Sequence, residues 1–150
     1  MSLAIITGST GLVGSEAVNF FHDKGFEVIG IDNNLRKLFF GKNGSTVWLK
    51  SQLLKRNKNF KNNNIDIRNL VGLEKIFKKY AKSISVIIHC AAQPSHDYGK
   101  NHPFLDFNVN ATGTLNLLEL TKKYSPHAPF IFMSTNKVYG DNPNNLKLFE

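Results

Sequence analysis

Gly8, Gly11 and Gly14 recur at three-residue intervals between an apolar run, Leu3-Ala4-Ile5-Ile6-Thr7, and an amphipathic segment beginning near Leu12. Glycines at this spacing, between a strand and a helix, suit the holding of a pyrophosphate. One permits a tight bend, one lets backbone N–H groups approach phosphate oxygens, and one lets the helix pack closely on the strand. The first turn of that helix adds unpaired N–H groups and a partial positive charge. A glycine-rich turn of any α/β protein is the competing reading. Asp32 is the second group with chemistry to offer. It closes the apolar stretch Phe26-Glu27-Val28-Ile29-Gly30-Ile31, about 20 residues beyond the glycines. A carboxylate there accepts hydrogen bonds from adenosine ribose hydroxyls and repels a 2′-phosphate, which favours NAD over NADP. A solvated aspartate at a strand end is the alternative.

The remaining polar residues offer less. The five histidines, at 22, 89, 96, 102 and 127, show no zinc-ligand spacing and have no cysteine companions. His89 continues a strand-like run, which marks it as a satisfied core residue. There is no Walker sequence and no nucleophile elbow. Between Asn33 and Ile65 the chain carries eight basic residues and no acidic one: Arg36, Lys37, Lys42, Lys50, Lys55, Arg56, Lys58 and Lys61. This segment supplies the whole formal excess of +8. It suits nucleic acid, a phosphorylated ligand, or simple solvation; no reading helix or stacking motif accompanies it to favour nucleic acid.

These residues must be positioned by alternating strands and helices. Val13, Ala17, Phe20, Phe21 and Lys24 follow helical spacing up to a stop at Gly25. After Asp32, residues 33 to 60 are the least regular part, with an apolar Leu38-Phe39-Phe40 cluster and a short helix suggested by Trp48, Leu49, Leu53 and Leu54. A short strand is expected around Asn63 to Ile67. Leu70, Leu73, Ile76, Phe77 and Tyr80 form a core-facing helical stripe. Ser85 to Cys90 reads as a strand buried on both faces. A long helix is expected from about His102 to Tyr124. Phe104, Phe107, Ala111, Leu115 and Leu118 form one stripe on it, and Val109, Leu117 and Leu120 a second. One stripe suits the sheet; the other suits either a protein interface or a deeply covered helix. Phe130 to Met133 is a fifth strand, and a polar tail runs from Asp141 to Glu150.

The 150 residues suffice for one domain with a real core. A hydrophobic content of 41% and a charged content of 20% are ordinary for a globular chain. No apolar run approaches the roughly 20 residues of a membrane span. With the chain entering a strand directly and holding a single cysteine, Cys90, a reducing cytoplasmic setting is expected.

Taken in order, several motifs carry a family signature. They are Gly8-x-x-Gly11-x-x-Gly14, Asp32, Asp66-Ile67, His89-x-Ala91-Ala92, Asn110-x-x-Gly113-Thr114 and Ser134-Thr135-x-x-Val138-Tyr139-Gly140. The chain resembles the extended short-chain dehydrogenase/reductases, which include the NAD-dependent nucleotide-sugar epimerases and dehydratases. Asp32-Asn33-Asn34-Leu35-Arg36, Gly44-Ser45-Thr46, Trp48, Ala91 to Asp97 and Met133 to Pro143 look more narrowly like the CDP-paratose 2-epimerases (CDP-tyvelose epimerases). The implied fold is a Rossmann-type, doubly wound parallel sheet of strand order 3-2-1-4-5, incomplete at its C-terminal end.

The resemblance implies roles position by position. Backbone around Thr10, Gly11, Leu12 and Val13, with Gly8 and Gly14, holds the pyrophosphate of NAD. Asp32 holds the adenosine ribose, and Asn33, Asn34 and Arg36 line the adenosine side. Asp66 accepts from the adenine amino group while Ile67 packs on the ring. Ala91, Ala92 and Gln93 flank the nicotinamide side, and Asn110 fixes that wall. Thr135 matches the hydroxyl residue that binds the reacting sugar oxygen. The implied chemistry moves a hydride from a sugar carbon, C2 for CDP-paratose, to NAD and back onto the other face.

The chain departs from the pattern at one point. The family's catalytic Tyr and Lys lie in Y-x-x-x-K, downstream of the V-Y-G segment. Here Tyr80, Tyr98, Tyr124 and Tyr139 are followed four residues later by Ile84, His102, Ala128 and Pro143. The general acid/base pair is missing, as is the domain that would clasp a CDP-sugar. The expectation is therefore a truncated NAD-binding half, residues 1–150, inactive alone, with homo-oligomerisation through helix 102–124 compatible with the family. Other readings are a non-catalytic dinucleotide sensor, a basic interaction module built on residues 33–65, or the corresponding part of a 4-epimerase or 4,6-dehydratase.

Overall fold

The computed structural model describes residues 2–147. β1 (Leu3–Thr7) is buried along its whole length, as an apolar strand with neighbours on both sides must be. The chain continues through α1 (Leu12–Asp23), β2 (Glu27–Ile31), α2 (Arg36–Phe40), α3 (Val47–Arg56) and β3 (Phe60–Asn63). Next come α4 (Leu70–Tyr80), β4 (Ile84–His89), α5 (His96–Asn101), α6 (Pro103–Phe107), α7 (Gly113–Tyr124) and β5 (Phe130–Phe132). The strands form one sheet in the order β3-β2-β1-β4-β5, and every pairing is parallel. This is the expected Rossmann-type arrangement.

Alternation along the strands feeds two separate layers. Leu3 and Ile5 of β1 join Ile29, Ile31, Leu73, Phe77, Leu117 and Leu120 beneath α4 and α7. Ala4 and Ile6 join Val18, Val28, Leu53, Phe60 and Ile88 beneath α1 and α3. α4 starts where expected because the Asn69 side chain accepts the Gly72 N–H at 2.9 Å, the usual helix N-cap device.

Three local features go beyond or differ from what the sequence suggested. α1 buries Gly14, Ser15 and Val18, while Val13 and Phe20 are 47% and 56% exposed. The face that meets the sheet is set by Gly14 lying on the Gly8 backbone, not by the largest apolar residues. β3 lies at Phe60–Asn63, about three residues before its expected place. Phe60 reaches the core there beside Gly30, where a Cβ would stand 2.6 Å from the Phe60 ring. The Leu38-Phe39-Phe40 cluster forms the short helix α2 rather than irregular chain.

The long helix is continuous from α6 to α7 only through a wide π turn, Asn108–Thr112. Its buried line is Val109, Gly113, Leu117 and Leu120, whereas Phe104, Phe107, Leu115 and Leu118 face outward. Gly113 decides this, because a Cβ there would lie 2.6 Å from Ile67 Cδ1. Among the described residues β5 pairs with β4 alone, and Ile131 and Phe132 are exposed. Residues 148–150 of the polar tail lie outside the described residues. No helix among the described residues is long and apolar enough to cross a membrane.

Candidate functional site

The glycine turn joins three elements by backbone alone. Gly8 has φ +62°, a left-handed conformation that side chains disfavour. Its N–H donates to the Ile31 carbonyl at 2.9 Å, and its own carbonyl accepts the Gly11 N–H at 2.9 Å. A Cβ on Gly8 would stand 2.8 Å from Ala91 N, and one on Gly14 would collide with the Gly8 carbonyl. Among the described residues no side chain caps α1, which leaves its first-turn N–H groups open for an external acceptor. They face a groove of about 220 Å³, whose apolar floor is Ile31, Leu35, Ile65, Ile67 and Val109.

Asp32 stands at the rim of this groove and is oriented by backbone. Its Oδ2 accepts the Thr10 N–H at 2.9 Å and its Oδ1 the Asn34 N–H at 2.8 Å. Asn34 sits at φ +58°. Its Oδ1 accepts from Thr46 N at 2.9 Å, and its Nδ2 donates to Ser45 Oγ at 3.1 Å. The Thr46 hydroxyl donates to the same Asn34 Oδ1 at 3.3 Å, so it accepts from the Thr10 hydroxyl at 2.8 Å. Each carboxylate oxygen of Asp32 keeps acceptor capacity beyond these bonds.

Asp66, which also lines the groove, is fully engaged. Its Oδ1 accepts Arg68 N and Arg68 Nε, both at 2.9 Å. Its Oδ2 accepts Arg68 Nη2 at 2.6 Å and Asn33 Nδ2 at 3.0 Å. Four donors meet a carboxylate's roughly four lone-pair positions. The Arg68 guanidinium holds the Asp66 carboxyl below the usual carboxylate range. An adenine amino group would have to take the place of one donor, and neutral Asn33 is the weakest held.

Beyond Ala91, Ala92 and Pro94 the groove opens into a wider cleft of about 670 Å³, also lined by Gln93, Asp106, Asn110, Thr114 and the exposed Phe132 to Thr135. The wall between the two is tied by hydrogen bonds. Gln93 N donates to Asn110 Oδ1 at 2.8 Å, and Asn110 Nδ2 donates to Gln93 O at 3.2 Å. Behind it His89 is buried, and its tautomer follows from its partners. Thr114 Oγ1 donates to Asn110 O at 2.6 Å, so it must accept from His89 Nε2 at 2.9 Å. His89 Nδ1 is then bare and accepts from Thr7 Oγ1 at 2.6 Å, which in turn accepts Ala91 N–H at 3.1 Å. Burial pushes the His89 imidazole down to about 4, so the ring is neutral at pH 7. Burial likewise raises the Cys90 thiol to about 11, which leaves it a poor nucleophile.

Twelve of the expected residues line the first groove: Gly8, Gly11, Leu12, Val13, Gly14, Asp32, Asn33, Arg36, Asp66, Ile67, Ala91 and Ala92. Thr10 and Asn34 instead stand behind it as supports, and Gln93, Asn110 and Thr135 line the second cleft. Sequence reasoning gave no role in the site to Thr46, Leu35, Ile65, Cys90 or Val109, which also line the groove. Thr46 lies 36 residues from Thr10, and no local spacing signals that contact.

The model of the GDP-mannose 4,6 dehydratase family matches residues 5–147. The chain is 36% identical over 137 residues to a CDP-paratose 2-epimerase of Salmonella typhi, a match spanning 91% of this chain and 38% of that protein. The UDP-glucose 4-epimerase of Thermotoga maritima, solved with UDP-glucose, superposes with a TM-score of 0.74 at 29% identity, over 99% of this chain and 42% of that one. The Thermus thermophilus UDP-glucose 4-epimerase, solved as a complex with NAD, gives a TM-score of 0.62 at 31% identity, over 83% of this chain and 34% of that one. The chain thus spans about two-fifths of the length of the relatives it matches.

Proposed function

The chain belongs to the GDP-mannose 4,6 dehydratase family, and on that premise we propose that it is the NAD-binding portion of a nucleotide-sugar epimerase. The groove fits the dinucleotide on its own terms. Its glycine turn leaves no room for a Cβ at Gly8 or Gly14, its uncapped helix start offers N–H groups to a pyrophosphate, and Asp32 waits pre-oriented where a ribose would lie. The observation that carries the reading is this combination at one rim: open amides beside a carboxylate already aimed by Thr10 N and Asn34 N.

When bound, NAD supplies a hydride acceptor and, on the return step, a donor. The residues of this chain do the holding. Ile67 and Val109 give the adenine an apolar slot, Asp32 fixes the adenosine ribose, and Ala91 and Ala92 flank the far half. Gln93 and Asn110 brace that wall, and Thr135, at the exposed mouth of the second cleft, binds the reacting sugar oxygen. The match to CDP-paratose 2-epimerase supports CDP-paratose as the sugar and C2 as the carbon oxidised. A UDP-sugar 4-epimerase is the second reading, supported by the fit to the Thermotoga structure.

None of the four tyrosines has a lysine four residues on, so no residue pair here supplies the family's general acid and base. We therefore assign residues 1–150 to cofactor binding, with proton transfer and the clasp on the sugar nucleotide supplied by groups outside them. A cytoplasmic setting and self-association through the outward stripe of α6 and α7 belong to the same proposal. Calorimetric titration with NAD tests it: saturable 1:1 binding is expected, and absence of binding overturns it. Turnover of CDP-paratose by this chain would overturn the assignment of catalysis elsewhere.

A further inference from the structure

We propose that Asp106 is a positioning residue that, together with the Ser95 and Gln93 carbonyls, sets the amide orientation of Gln93 and Asn110, and so holds the wall between the two clefts. The inference rests on the cofactor reading above. Asp106 Oδ1 accepts from Gln93 Nε2 at 2.7 Å and from Asn110 Nδ2 at 3.2 Å. An ionised carboxylate only accepts, so both amides must turn their NH₂ groups toward it. That choice leaves Gln93 Oε1 for the Ser95 N–H, at 2.5 Å, and Asn110 Oδ1 for the Gln93 N–H, at 2.8 Å. Gln93 is 5% exposed, so a flipped amide would set donor against donor where water cannot compensate.

The placement depends on the helix itself. Asp106 and Asn110 are four residues apart, and Asn110 sits inside the π turn Asn108–Thr112, a local widening that occurs often at functional sites. α5 is seated against the pair: a Cβ on Gly99 would lie 3.0 Å from both Asp106 Oδ1 and Gln93 Nε2. The loop is thereby pinned at both ends, at Ala91 N by the Thr7 hydroxyl and at Ser95 N by the oriented Gln93 amide. Between those pins lie Ala92 and Pro94, which line both clefts. Asp106 therefore acts on the nicotinamide half of the groove and not on the adenosine half.

The test measures NAD and AMP affinities of the whole chain by calorimetry, together with amide hydrogen exchange at Gln93 and Ser95 in the free protein. Asp106→Leu is expected to weaken NAD about tenfold, leave AMP within about twofold, and speed exchange at both amides. Asp106→Asn, which keeps an acceptor oxygen, is expected to restore NAD to within about threefold. Asp106→Ala carries the expectation of the leucine variant should that one fail to fold. Equal losses for NAD and AMP, or an unchanged NAD affinity, overturn the role of Asp106. A wild-type chain that binds neither ligand overturns the cofactor reading itself.

Discussion

The two clefts share one wall but are built differently. The first is backbone work: a glycine turn, uncapped amides and two carboxylates held by backbone or guanidinium donors. The second is side-chain work, with Gln93, Asn110 and Asp106 on one side and the exposed end of β5 on the other. The first is lined on all its named sides by described residues of this chain. The second is half open, since Phe132, Met133 and Thr135 stand exposed on its far side. A cofactor cradle can be specified by short-range geometry, whereas a substrate cleft needs surfaces from several elements.

The sharpest way to break the comparison is at Gly14. Gly14→Val should lower NAD affinity about 1,000-fold, about 4 kcal/mol, because the side chain collides with the Gly8 backbone. Gly25→Ala, at φ +81° with nothing within 4 Å, should cost only about 1–2 kcal/mol of stability and spare binding. Calorimetry and thermal unfolding on both variants separate the two effects. Equal NAD affinities would dissolve the contrast.

His89 sits beneath the shared wall and supplies the next largest effect. Its folded value of about 4 lies below the ordinary 6.5, so the unfolded chain binds the extra proton more readily. The stability from its burial is fully present above pH 6.5 and is lost as pH falls toward 4, a loss of about 3 kcal/mol. His89→Gln should flatten that slope in denaturant unfolding run across the same range, and an unchanged slope would remove His89 as its source.

Asp32→Ala should weaken NAD about 10- to 100-fold and narrow its margin over NADP, since charge and ribose acceptor go together. Unchanged calorimetric affinities for both cofactors would sink the ribose assignment. Thr46→Val should cost about 1 kcal/mol of NAD affinity by freeing Asn34 and Thr10. Thr135→Ala is expected to leave NAD binding within about twofold if Thr135 serves the second cleft alone, and a tenfold loss in the same titration would place it in the first.

The glycines, Asp32 and the five strands were legible in the sequence because each rests on short-range rules, whereas the strand order was legible only through the family resemblance. Dihedral freedom and the two-residue strand period need no knowledge of distant packing. The same rules did not decide which faces of α1 and α7 are buried. In both helices a glycine, Gly14 or Gly113, made the closest approach and turned larger apolar residues outward.

The sequence by itself therefore determined the nature of the first groove: a strand, a turn without side chains, a helix start and a carboxylate, each a property of residue type and spacing. Only the tertiary structure decided how that chemistry is supported. Thr46 meets Thr10 across 36 residues, and His89 meets Thr114 across 25. Asn33 reaches Asp66 across 33 residues, and Asp106 reaches Gln93 across 13. Such bonds depend on where packed layers bring remote side chains, and no spacing along the chain encodes that.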